Sequence, residues 1–122
     1  MSGNPKFGRR IRKLREAKKK GDPEFSLRKF ANTVGISPTF LSKVEKGEFA
    51  PPSPERIIKM AELLEVNADE LLALAGKVDP ELPEIIREQP KAMADFLRTS
   101  RELGLNEDDL KKLTKNLRRK KG

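Results

Sequence analysis

Four helix starts in the first part of the chain share one grammar: a small polar residue, an apolar residue just before it, and another apolar residue four places on. Ser26 stands between Phe25 and Phe30 in this way, and Ser37 between Ile36 and Leu41. Ser53 follows Pro52 and precedes Ile57, while Asn67 follows Val66 and precedes Leu71. In each case the polar side chain can accept a hydrogen bond from an N–H that the helix leaves unsatisfied, and the flanking apolar pair staples the entering chain. Pro38 and Pro54 occupy first helical positions, where a missing N–H costs nothing. Glu70, three places after Asn67, adds the residue of a capping box. A chain punctuated this way can build only short helices joined by tight turns.

The apolar pattern agrees with that reading. Phe7, Ile11 and Leu14 form the stripe of a first helix, roughly Lys6 to Lys20, which Gly21, Asp22 and Pro23 stop. No stretch alternates as a half-buried strand does. Five helices are therefore expected by about residue 75, where Gly76 breaks the pattern. Residues 77–90 hold Pro80, Pro83 and Pro90 around one short helical candidate with Ile85 and Ile86. Pro90 can start a further helix carrying Met93, Ala94, Phe96 and Leu97, ended by Gly104. Asn106 can cap a last helix striped by Leu110, Leu113 and Leu117, with Arg118 to Gly122 expected to fray. The expected architecture is all-α: a five-helix domain over 1–76, a proline-containing connector over 77–90, and a helical extension over 91–122.

Charge is unevenly spread. Residues 1–66 carry 15 basic and 8 acidic groups, a net of +7, and residues 67–109 carry 5 and 11, a net of −6. Residues 110–122 carry 7 basic groups and none acidic, so the overall +8 is concentrated at the two ends. Such ends suit a polyanionic partner. The chain has no Cys and no His, which excludes disulfides, zinc sites built on thiolate or imidazole, and Ser-His or Cys-His nucleophile systems. Asp108 and Asp109 do not make a hydrolase pair, because neighbouring helical residues diverge. The expectation is a non-enzyme with no cofactor and no metal. No apolar run exceeds Leu71 to Ala75, so no membrane span or signal peptide is expected, and a cytoplasmic location is.

The stretch Leu27 to Lys46, LRKFANTVGISPTFLSKVEK, carries the functional signal. Two short helices meet at Gly35, where a helix-ending residue often needs φ above zero. Phe30, Ala31 and Val34 face inward from the first, Leu41 and Val44 from the second, and Ile36 fills the corner. With the Leu-Arg of the first helix, the Ala31-to-Gly35 spacing, FLSKVEKG ending at Gly47, the Pro-rich connection and the closing DELLALAG, residues 7–76 resemble the Cro and phage-repressor (Xre-like) helix-turn-helix family.

The resemblance implies that the helix after the turn lies in the major groove of double-stranded DNA, bound as a dimer. Ser37, Pro38, Thr39, Ser42 and Lys43 would then face the bases, Lys43 being suited to the O6 and N7 acceptors of guanine. Ser26, Arg28, Phe40 and Lys46 would meet the sugar-phosphate backbone, with Phe40 also within reach of a thymine methyl. Arg9, Arg10 and Arg12 would add longer-range attraction, and Arg15 would pair structurally with Glu45. The chain departs from the family pattern in having Leu27 where a glutamine is common, and in lacking Gln and Asn on the recognition helix. Direct base reading would then be sparse, with more left to DNA shape and water.

Several residues keep two readings. Ser26, Ser37 and Ser53 are caps first, and a phosphate role for the first two is additional. Phe49, an aromatic in a polar-to-proline loop, is expected to pack beneath it. Leu110, Leu113 and Leu117 must be covered, either by the first five helices or by a second chain, with a homodimer favoured. Arg118 to Lys121 is a solvated tail or lies along phosphates. The function so read is a sequence-specific transcriptional regulator, chiefly a repressor. The alternatives are an antitoxin or a protein-interaction adaptor whose extension over 91–122 binds a partner protein.

Overall fold

Each polar start becomes the N-cap of a helix in the structure, a computed structural model that describes residues 3–122. Asn4 caps α1 (Pro5–Lys19), accepting from the Phe7 N–H at 3.0 Å, and a single 3-10 turn follows at Pro23–Phe25. Ser26, Ser37, Ser53 and Asn67 cap α2 (Leu27–Val34), α3 (Pro38–Glu45), α4 (Pro54–Leu64) and α5 (Ala68–Leu74). The Phe25 and Phe30 rings, at 5.8 Å, form the staple before α2. The reciprocal capping box is found at Asn106, which heads α8 (Glu107–Lys121): Asn106 and Asp109 each accept from the other's N–H, at 2.9 and 3.0 Å. At Asn67 the structure has the forward bond, from the Glu70 N–H at 2.9 Å.

The inward faces of α1 to α5 meet in one core. Phe7 and Ile11 come from α1, Phe30, Ala31 and Val34 from α2, and Leu41 and Val44 from α3. Ile57, Met60, Ala61 and Leu64 of α4 and Leu71 and Leu72 of α5 complete it. Fully burying one of the larger of these side chains stabilises the fold by about 1.5–3 kcal/mol. In the body of α1 one approach is between backbones. A Cβ on Gly8 would stand 2.3 Å from the Val44 carbonyl oxygen and 2.7 Å from that of Glu45. Glycine is thus required in the body of α1 because the C-terminal turn of α3 lies directly against it.

The chain divides into two compact units between Pro80 and Glu81. The sequence suggested an end at Gly76, but the Lys77 N–H still bonds to the Leu72 carbonyl at 2.9 Å and closes the end of α5. The expected connector is itself largely helical, as α6 (Glu81–Glu88). Pro83 lies in its first turn, where proline is tolerated. The helices α7 (Pro90–Glu102) and α8 follow. These three helices leave one another's apolar side chains exposed: Leu82, Ile85, Phe96, Leu97, Leu110, Leu113 and Leu117 are all at least 39% accessible. Among the described residues, no helix is long and apolar enough to cross a membrane.

The Gly8 contact yields a prediction of sign. Gly8→Ala should destabilise the protein by about 1–3 kcal/mol in urea unfolding, through overpacking against the α3 carbonyls. On an open helix surface the same change would instead stabilise by about 0.8–1 kcal/mol.

Candidate nucleic-acid interface

The geometry of α3 is set first by the turn before it. Gly35 ends α2 in the left-handed region, at φ 91° and ψ 29°, a conformation that strains any residue with a Cβ. Its N–H and that of Ile36 both bond back to the Ala31 carbonyl, at 2.9 and 3.0 Å. Remaining carbonyls at this corner are served from another helix. The Arg56 guanidinium of α4 donates to the Val34 carbonyl at 3.2 Å and to the Gly35 carbonyl. Nothing local in the sequence marks Arg56 for this task, since it stands 21 residues beyond the turn.

The orientation of α3 is set next by a buried ion pair. Arg15 Nε donates to Glu45 Oε2 at 2.7 Å, and Arg15 Nη2 to Glu45 Oε1 at 2.9 Å. Arg15 Nη1 also donates to the Phe25 carbonyl at 3.1 Å, so one guanidinium joins α1, the turn before α2, and the end of α3. The two residues are only 4% and 6% exposed. The hydrogen bond to Glu45 raises the Arg15 pKa further above its ordinary value, against the opposing pull of burial. Both carboxylate oxygens are engaged, and the planar fork matches them.

With its inner face pinned, α3 presents the other. Leu41 and Val44 are buried, whereas Ser37 and Thr39 are exposed and Pro38, Phe40, Ser42 and Lys43 are half-buried on the outer side. The structure thus brings Ser37, Pro38, Thr39, Ser42 and Lys43 onto one short helix and its cap. Ser37 Oγ accepts from the Phe40 N–H at 3.0 Å. Ser26 Oγ accepts from the Lys29 N–H at 3.3 Å, beside an exposed Arg28. Lys46, at the C-cap of α3, is exposed. Arg9 and Arg10 are exposed on α1, and Arg12 pairs with Glu16 at 3.2 Å. Phe49 does not pack beneath its loop: it is 45% exposed, with its ring 6.0 Å from that of Phe40. Leu110, Leu113 and Leu117 belong to the other unit and lie along one exposed face of α8.

Two helices joined by a left-handed glycine, one face in the core and one polar face outward, are the defining parts of a helix-turn-helix protein. The family model of the helix-turn-helix domain matches residues 8–77, and the chain belongs to that family in its Cro/Xre-like form. The chain is 38% identical over 82 residues to the uncharacterized HTH-type transcriptional regulator RghRB of Bacillus subtilis (strain 168), covering 67% of this chain and 55% of that protein. It is 32% identical over 73 residues to the HTH-type transcriptional repressor RghR of the same organism, covering 60% and 50%. The chain therefore spans about half the length of the curated relatives it matches. A solved chain from a SinR protein/SinI protein complex aligns over 94% of this chain and 97% of its own, at 22% identity and a TM-score of 0.46.

The buried pair makes its own prediction. Arg15→Ala, which strands the Glu45 carboxylate, should cost about 3–5 kcal/mol in urea unfolding. The double change Arg15→Met/Glu45→Met should cost clearly less, because no unpaired charge remains buried. Equal losses would show that the pair contributes packing alone.

Proposed function

We propose that the protein is a sequence-specific transcriptional regulator, chiefly a repressor, that binds double-stranded DNA as a dimer with the helix over 37–46 in the major groove. The observation that carries this reading is the division of α3, with Leu41 and Val44 in the core and a row of hydrogen-bonding side chains on the opposite face. Thr39, Ser42 and Lys43 supply donors suited to base edges, and Lys43 suits guanine. Ser37 and Pro38 open the helix, so its first N–H groups point where a phosphate or base acceptor would lie. Ser26, Arg28, Phe40 and Lys46 flank this row and meet the backbone.

The dimer reading rests on α8. Leu110, Leu113 and Leu117 form its exposed apolar face, Glu107, Asp108 and Asp109 its first turn, and Arg118 to Lys121 its last. Two such helices packed antiparallel set the acidic turn of each against the basic turn of the other, with the leucines between them. The pattern is self-complementary, as a two-fold interface must be.

Selection of bound duplexes from a random pool should return an inverted repeat with half-site centres about 10–10.5 bp apart. Lys43→Ala should relax one base pair of that site at a cost of about 1–3 kcal/mol, while Arg28→Ala should weaken all sequences and lower the salt slope by about one. One chain on an asymmetric site, measured by light scattering of the complex, would overturn the reading.

Leu113→Asp/Leu117→Asp should turn the protein monomeric in sedimentation at micromolar concentration, and should weaken a full site more than a half-site. A double variant that stays dimeric would assign the stripe to the intramolecular core or to a different partner protein.

A further inference from the structure

Lys43 does not stand alone on the outer face of α3. Its carbonyl accepts from two N–H groups of the following loop, that of Glu48 at 2.9 Å and that of Phe49 at 3.2 Å. The loop therefore folds back onto the residue whose side chain it then meets. The Lys43 ammonium lies 3.6 Å from Glu48 Oε1 and 5.4 Å from the centre of the Phe49 ring. Phe49 in turn rests against Phe40, and Phe40 packs on the core. A series of contacts thus runs from the core through two aromatic rings to the charged end of this lysine.

A lysine that reads a base loses the freedom of its long stem when it binds, which costs affinity unless the stem is already held. Here the carboxylate and the ring face attract the ammonium from the loop side. At 3.6 Å the Glu48 contact is an ion pair outside hydrogen-bonding distance, and a ring face accepts charge without consuming a lone-pair contact. The N–H donors of Lys43 stay available to an acceptor. We propose that Glu48 and Phe49 are positioning residues for Lys43, fixing its ammonium at the DNA-facing surface and so sharpening the base preference it imposes. This rests on the assignment of Lys43 to the bases.

Two opposed roles share the same residues and are separated by the test. In one Glu48 repels phosphate, and in the other it withholds Lys43 from the bases. Phe49→Leu, Phe49→Trp and Glu48→Gln would each be made in the full chain, with Lys43 and with Lys43→Met. Kd would be measured by fluorescence anisotropy on the selected duplex, on the duplex altered at the base pair that Lys43 reads, and on a random duplex. Phe49→Leu and Glu48→Gln should each lower the preference at that pair by about two- to fivefold, the scale of exposed ion-pair and cation–π contacts. Phe49→Trp should keep it, and none should matter once Lys43 is Met. Effects that persist without Lys43, or tighter binding by Glu48→Gln, would overturn the proposal. Relaxation of the Lys43 ε-methylene in the free protein gives a readout independent of DNA. It should be more ordered than that of Lys13 on α1 and lose that order in Phe49→Leu. Equal mobility of the two lysines would refute positioning whatever Lys43 reads, whereas ordered Lys43 with no base preference lost in Lys43→Met would refute the base assignment and the proposal with it.

Discussion

The Arg15–Glu45 pair is the constraint on which the orientation of α3 depends. Both charges are removed from water, so each is tolerable only while the other is in place. Glu45 is the last residue of α3, and Arg15 also reaches the turn before α2. Any rotation of α3 about its axis would separate the carboxylate from the fork and strand a buried charge. The angle at which the outer face is presented is thereby fixed by electrostatics as well as by the packing of Leu41 and Val44.

The remaining freedom of α3 is removed at its two ends. At the start, the left-handed Gly35 and the Arg56 guanidinium hold the corner from both sides. At the end, the absent side chain of Gly8 lets α1 lie against the last carbonyls of the helix. A helix of 8 residues is too short to be stable by itself, so its form and placement come from these neighbours. Such fixing suits the base-reading role proposed for the outer face of α3.

Residues 81–122 show the opposite physics. Three helices with clear apolar stripes, α8 alone with a full capping box, leave those stripes exposed. Local propensity and the favourable charge order of α8 support each helix, but they do not supply a core. The exposed stripe of α8 is the observation on which the association in the proposed function rests.

What the sequence determined is what local chemistry determines. Polar caps, prolines at first helical positions and apolar spacing marked the helices, because those signals act within four or five residues. The same locality made the outer face of α3 legible, since helical geometry alone sets 39, 42 and 43 away from 41 and 44. The Arg15–Glu45 pair was anticipated through the family resemblance, since its partners are 30 residues apart. Tertiary structure alone decided the rest. Arg56 reaches carbonyls 21 and 22 residues away, Gly8 is defined by a backbone from another helix, and Phe49 turned outward onto Phe40 instead of beneath its loop. Each of these depends on where distant segments meet once the core has closed, and no short-range pattern along the chain encodes that meeting.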